Sequence, residues 1–271
     1  MIKAAAIQMV STNAVNENLT TAERLINEAA SKQAKLVTLP ENFPMMCIDD
    51  AERLAIQEPL GNGALQLFLS EQAKKHQIYL LGGTIPVQSD KAERVCPTSL
   101  LYNPKGNCIA RYDKIHLFDV LVDEANEESY CESDAFEPGH DIVVAETEIG
   151  NIGLSVCYDL RFPEMYRKMH KHHVQIITAP AAFTATTGEA HWETLLKTRA
   201  VENLCYVIAS NQGGTHANGR ETWGYSMIVD PWGTILASVD KGEGVAIAEI
   251  DLEKQNQLRK MFPALSHIKL I

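Results

Sequence analysis

Short apolar runs alternate with segments whose apolar residues recur at helical spacing, and this alternation restricts the folds open to the chain more than any other feature. Residues 4–9 read as a strand, Leu19, Ala22, Ile26, Ala29 and Ala30 then share one helical face, and residues 36–39 return to strand. A second helix is marked by Leu65, Phe68, Leu69 and Ala73. Residues 78–87 then regain strand character around a Gly82-Gly83 interruption that suggests a bulge. The first third is therefore βαβαβ.

The middle of the chain changes character. Residues 99–102 and 108–112 flank Asn103-Pro104-Lys105-Gly106-Asn107, a turn-rich stretch expected to close a hairpin, and a second hairpin is expected to turn at Gly150-Asn151. Between them the acidic stretch 116–140 has no clear period and reads as one long loop; its position directly after Lys114 favours a functional role. Pro163 suits the first turn of a helix running through Met169, and residues 174–178 read as the next strand. Trp192, Leu195, Leu196, Ala200 and Leu204 suit a longer helix, followed by strands at 206–210, 224–229 and 235–239. Asp230-Pro231-Trp232-Gly233 turns between the last two, residues 244–250 add a strand, and Asp251 can cap a final helix through Lys260. Alternating units followed by hairpins imply an α/β domain with a mixed sheet or two sheets, and without a linker we read residues 1–271 as one domain.

A formal net charge of -11, with the basic residues scattered, argues against nucleic acid or an anionic membrane as the main partner. No apolar run is long enough to cross a bilayer. Met1-Ile2-Lys3 leads straight into a strand-like segment without the pattern of a signal peptide, so a cytoplasmic location is expected. The six cysteines show no paired short spacing and read as reduced thiols. His170, His172 and His173 lack a ligand spacing with a partnering carboxylate; they read as a solvated helix end, and no metal is expected.

Three residues with complementary chemistry stand where apolar strands give out: Glu41 after residues 36–40, Lys114 after 108–112 and Cys157 after 152–156. Strand ends let side chains leave the core while their backbones stay rigid. A thiol with a pKa of about 8.5 is only a few per cent ionised at neutral pH, so forming the thiolate costs roughly 2 kcal/mol unless a neighbouring base or cation helps. Glu41 is the candidate base, able to take the thiol proton and pass it to a departing amine. Lys114 and the backbone N–H of Tyr158 are the candidate donors to an amide oxygen that becomes anionic. Glu132 could orient Lys114 by a charge-assisted contact. Such a scheme runs through a thioester and needs no metal or organic cofactor.

Leu39-Pro40-Glu41, Lys114-Ile115-His116-Leu117-Phe118-Asp119, Glu132-Ser133-Asp134 and Cys157-Tyr158-Asp159-Leu160-Arg161-Phe162-Pro163-Glu164 resemble, in order and spacing, the nitrilase superfamily of carbon–nitrogen hydrolases. That resemblance implies a four-layer α-β-β-α sandwich of two mixed sheets flanked by helices, often a homodimer through its helices. It also implies that Glu41, Lys114 and Cys157 act as base, oxyanion-stabilising acid and nucleophile, with Glu132 as an additional glutamate. Cys157-Tyr158-Asp159 looks amidase-like rather than nitrile-specific. Thr187-Gly188-Glu189-Ala190-His191-Trp192, Arg199-Ala200-Val201-Glu202-Asn203 and Asp230-Pro231-Trp232-Gly233-Thr234 look like the branch that contains deaminated glutathione amidase and ω-amidase. Gln212-Gly213-Gly214-Thr215-His216 tilts the resemblance towards the former, whose α-keto acid amide substrate would yield 2-oxoglutarate and cysteinylglycine.

An anionic substrate needs local positive charge, and Arg161 beside the nucleophile is the expected carboxylate partner; pairing with Asp159 or Glu164 is the alternative. Tyr158, Phe183, Thr187 and His191 are expected at the pocket. Cys131 stands where relatives often carry a basic residue. Arg199 with Glu202, Trp192 and Trp232 read as structural. An α-ketoglutaramate hydrolase, another small-amide or carbamoyl amidase, a catalytically silent scaffold and a thiol redox sensor are the competing readings.

Overall fold

Apolar residues on alternate positions of the same strand feed two different cores, and this decides the architecture. The computed structural model describes residues 1–91, 93–123 and 128–270. The chain begins with β1 (Ile2–Gln8), α1 (Val15–Ser31), β2 (Ala34–Thr38), a short α2 (Asp50–Ala55), α3 (Ala64–His76), β3 (Tyr79–Leu81), β4 (Ile85–Gln88), β5 (Val95–Tyr102) and β6 (Cys108–Asp113). It continues with β7 (Asp119–Asp123), β8 (Glu128–Cys131), β9 (Val144–Thr147), β10 (Gly150–Leu154), α4 (Pro163–Met169), β11 (Ile176–Thr178) and α5 (Ala185–Asn203). The last elements are β12 (Tyr206–Ala209), β13 (Met227–Val229), β14 (Ile235–Ser238), β15 (Gly244–Ile250) and α6 (Leu252–Met261).

Among the described residues, one mixed sheet runs β15-β1-β2-β3-β5-β4 with β6 also paired to β5, and a second runs β14-β13-β12-β11-β10-β9. In the first sheet Ala4, Ala6, Leu36, Leu81 and Leu101 face the second sheet's apolar side chains. Their neighbours Ala5, Ile7, Val37, Leu80 and Leu100 face α1 and α3, through Leu25, Ile26, Leu65 and Leu69. Successive side chains of a strand point to opposite faces, so strands apolar at every position must be covered on both sides. The second sheet is closed outwardly by α4 and α5 through Met165, Tyr166, Trp192, Leu196 and Ala200. The expected α-β-β-α sandwich is the fold.

Several local readings need adjustment. The Gly82-Gly83 interruption does behave as a bulge: β3 and β4 line the same edge of β5, and four steps from Leu81 to Ile85 oppose three from Leu101 to Thr98. Gly83, at φ 52°, packs so closely that a Cβ would lie 2.0 Å from the Pro40 carbonyl oxygen, which is where the chain enters Glu41. The second hairpin pairs Thr147 with Gly150, so its turn is Glu148-Ile149 and Gly150-Asn151 already belong to the strand. The acidic stretch is not one long loop: β7 and β8 pair antiparallel, followed by a single 3-10 turn at Glu132–Asp134, although residues 124–127 lie outside the described residues. Helix α2, capped by Asp49, had no periodic signal. Trp232 does not pack into a core; it is 63% exposed, and its ring meets the Phe262 ring edge-on at 5.9 Å between centroids.

Candidate active site

The chain leaves β10 and bends at once. Cys157 adopts φ 49°, a left-handed conformation that costs a non-glycine residue strain and persists only where the surroundings impose it. Its N–H donates to the Pro180 carbonyl at 2.8 Å, and a 3-10 turn over Cys157–Arg161 leads into α4 at Pro163. Arg199 on α5 donates through Nε and Nη2 to the Leu160 carbonyl at 3.0 and 2.7 Å while Nη1 holds Glu202 at 2.6 Å, so this pair is indeed structural. The sharp bend leaves Cys157 buried at the end of the strand, 7% exposed.

Two further strand ends converge on it. Lys114, 1% exposed, donates from Nζ to Glu41 Oε1 at 2.8 Å and to both oxygens of Glu132 at 3.0 and 2.7 Å. Glu132 Oε2 also accepts from the Phe118 N–H at 2.8 Å. Glu41 Oε2 accepts from the Ala182 N–H at 2.9 Å. Glu41 is held from behind by Gln212, whose Nε2 donates to the Glu41 carbonyl at 3.0 Å and to Ser11 Oγ at 2.8 Å.

The electrostatics of this cluster assign its resting protonation. Burial pushes the Cys157 thiol well above its ordinary range, and the Glu41 carboxylate adds to that, while Lys114 opposes it. Burial works against the Lys114 ammonium, yet Glu132 and Glu41 outweigh it and hold the group well above the usual lysine range. The site at rest is a neutral thiol beside a buried lysine bonded to two glutamates. Burial and the Glu41 charge both favour the protonated thiol, so the cation alone does not remove the ionisation cost.

These groups open onto a narrow pocket whose lining joins Glu41, Glu132, Cys157 and Ala182 with Phe118, Tyr158, Arg161, Phe183, Thr184, Thr187 and Arg220. The carbon–nitrogen hydrolase family profile matches residues 3–260. The chain belongs to the carbon–nitrogen hydrolases. It is 43% identical over 267 residues to a deaminated glutathione amidase of Synechocystis sp. (strain PCC 6803 / GT-S), covering 97% of both chains. It is 39% identical over 267 residues to the deaminated glutathione amidase of Homo sapiens, covering 97% of this chain and 81% of that one. The fold superposes on the C. elegans NitFhit protein with a TM-score of 0.90 at 36% identity, covering 99% of this chain and 65% of that longer one. This hydrolase of the nitrilase superfamily acts on carbon–nitrogen bonds other than peptide bonds.

Tyr158, Arg161, Phe183 and Thr187 line the hydrolase pocket, and His191 is not among its lining residues. His191 is exposed on α5 with Nδ1 3.4 Å from both terminal nitrogens of Arg161. Arg161 pairs with neither Asp159 nor Glu164; no carboxylate lies within ion-pair range of it among the described residues, and its guanidinium sits 5.7 Å from the ring centres of Tyr158 and Phe183. Asp159 is fully buried and fully used elsewhere, accepting from Tyr112 Oη at 2.6 Å, Val156 N–H at 2.8 Å and His116 N–H at 3.2 Å, with His116 Nδ1 at 2.7 Å. Sequence reasoning missed that role, although Asp159 lay inside the quoted Cys157-Tyr158-Asp159 motif. It also missed Ala182, Thr184 and Arg220, which carried no motif signal. Cys131 is exposed, its sulfur 3.6 Å from Ser133 Oγ. Among the described residues no group of metal-ligating side chains forms a metal site, and His172 and His173 are exposed.

Proposed function

We propose that the hydrolase cleaves a small α-keto acid amide, deaminated glutathione, through a thioester on Cys157. The observation that carries the reading is the buried ammonium of Lys114, bonded to Glu41 and Glu132 beside the thiol. Because the resting thiol is neutral, its proton moves to Glu41 as the sulfur attacks the amide carbonyl. The oxygen that becomes anionic is stabilised by Lys114 and the Tyr158 N–H; one well-aimed donor of this kind contributes about 3 kcal/mol. Glu41 then returns the proton to the departing amine. A water activated by Glu41 hydrolyses the thioester and releases the acid. Glu132, held by the Phe118 N–H, keeps Lys114 in place between the two carboxylates.

Substrate choice rests on the resemblance to the two deaminated glutathione amidases and on Arg161, a guanidinium facing the pocket with no internal counter-charge among the described residues. Arg161 takes the α-keto acid carboxylate, while Tyr158 and Phe183 pack the acyl arm. Hydrolysis would then give 2-oxoglutarate and cysteinylglycine. The second reading is ω-amidase activity on α-ketoglutaramate, which shares that acyl arm and differs only in the leaving amine.

Residues 1–271 act as one catalytic unit in this reading, in the cytoplasm. It works as a homodimer, for which the exposed Val201, Trp232 and Phe262 on and near α5 and α6 offer an apolar contact. Light scattering in solution measures the mass and tests the dimer. For the chemistry, intact-mass spectrometry during turnover of deaminated glutathione should detect an acyl adduct on Cys157, absent in Cys157→Ala. Wild-type turnover by Cys157→Ala would overturn the mechanism, and a higher kcat/KM for α-ketoglutaramate would move the assignment to ω-amidase.

A further inference from the structure

The structure holds a second, larger space directly outside the narrow pocket, and one residue, Arg220, lines both. The inner pocket has a cavity volume of only about 10 Å³ and the outer cleft about 680 Å³. The inner pocket is thus far smaller than the cleft. Anything bulky on the leaving side of the scissile bond belongs in the cleft, whose walls include Asn42, Arg53, Tyr130, Asn218, Arg220 and Glu221.

Of the two arginines in the cleft, one is already committed. Arg53 bonds Asp50 and lies 4.4 Å from the Phe136 ring centre. Arg220 is not: Nη2 donates to the Ala182 carbonyl, the guanidinium lies 4.8 Å from the Tyr130 ring centre, and the buried Nε has no acceptor. Glu221 lines the same cleft, yet no carboxylate comes within 4.0 Å of Arg220 among the described residues. A partly buried guanidinium without a counter-charge among the described residues, in a chain of net charge -11, is a site for an incoming anion. Its charge also tips the balance of the pocket: two carboxylates, Glu41 and Glu132, are set against Lys114, Arg161 and Arg220, which leaves one net positive charge towards an anionic substrate.

We propose that Arg220 is a specificity-determining residue that binds the carboxylate of the leaving amine, the terminal glycine carboxylate of the cysteinylglycine half. The inference rests on the deaminated glutathione reading and divides the substrate's two carboxylates between Arg161 in the inner pocket and Arg220 at its mouth. Leaving groups without an anion, such as ammonia, gain nothing from it.

The test compares kcat/KM for deaminated glutathione with that for the same compound carrying a C-terminal carboxamide, in the wild type and in Arg220→Gln. The wild type should prefer the free acid by about 10- to 100-fold, the range for a lost hydrogen bond to a charged group. Arg220→Gln should bring the ratio near one whatever its absolute rate, and Arg220→Lys should restore part of it. As a measurement independent of any variant, cysteinylglycine should inhibit the wild type more strongly than its amide by a similar factor. A wild-type ratio near one, or a ratio that survives in Arg220→Gln, overturns the inference and leaves the deaminated glutathione reading standing. Absence of wild-type turnover with both forms is the different result that removes that reading, and the inference with it.

Discussion

Asp159 Oδ1 lies 2.7 Å from His116 Nδ1, and this contact ties the segment just after Lys114 to the segment just after Cys157. The same carboxylate accepts from Tyr112, two residues before Lys114, and from Val156, immediately before Cys157. Both strand ends are therefore clamped on either side of their functional residue by one fully buried side chain. His116 is braced in turn by stacking on Phe162, with ring centres 3.7 Å apart at 6°.

Asp159→Asn keeps the shape but loses the charge and turns one acceptor into a donor facing the Val156 or His116 N–H. A displacement on the order of 1 Å in a reacting group costs about 100-fold, so kcat should fall by about 10- to 100-fold with KM changed far less. Stopped-assay kinetics beside a thermal melt check this. A fall confined to Tm, with kcat intact in the folded fraction, would remove Asp159 from the positioning role.

Lys114→Met should cost more than activity. It leaves the buried Glu41 carboxylate and its neighbour Glu132 without their shared cation, and breaking a buried ion pair by removing one partner costs about 3–5 kcal/mol. Urea denaturation should show that loss. Glu132→Gln should cost less, since its side chain is 19% exposed and Lys114 keeps Glu41.

Glu41→Gln should separate thiol reactivity from catalysis. The Glu41 charge is one of the causes, after burial, that keep the Cys157 thiol protonated, so its removal lowers the thiol pKa while Lys114 remains. Amidase turnover should drop by about 100-fold or more for loss of the general base, whereas iodoacetamide alkylation of Cys157 at neutral pH should quicken. Alkylation slowed along with turnover would contradict this account of the resting thiol.

Alkaline stability offers a test away from the site. Burial pushes the Cys205 thiol up to about 12 from an ordinary value of 9.0. The folded state therefore keeps a proton that the unfolded chain loses. That contribution is complete below pH 9 and is lost as the pH rises from 9 towards 12. One such group steepens the decline by about 1.4 kcal/mol per pH unit. Denaturation of Cys205→Ala between pH 9 and 11 should show a slope shallower by about that amount, and an unchanged slope would refute the assignment.

The order of strands and helices was legible because each is announced locally, by apolar spacing, by Pro163 at a helix start or by Asp251, whose side chain does accept from the Glu253 and Lys254 N–H groups. Glu41, Lys114, Glu132 and Cys157 were legible for a related reason: each sits in a short motif, and three of them follow a strand end. The β7–β8 hairpin was not, because its strands are short, partly exposed and without the alternation that marks a buried face. Nor was the true turn at Glu148-Ile149, where Gly150 drew the assignment away from two residues with no turn signature of their own.

The sequence by itself determined the alternating order of strands and helices and, through the family resemblance of its motifs, the layered sandwich and the candidate reacting groups, since periodicity and motif depend only on neighbours along the chain. Only the tertiary structure decided that Asp159 serves the Lys114 and Cys157 loops together, that His191 stays outside the pocket, and that Arg220 reaches the pocket mouth from a distant loop. Those relationships arise where separate strand ends meet. A contact between residues far apart in the chain leaves no periodic trace in either segment, and the neutral state of the Cys157 thiol depends on burial, which exists only once the two sheets have packed.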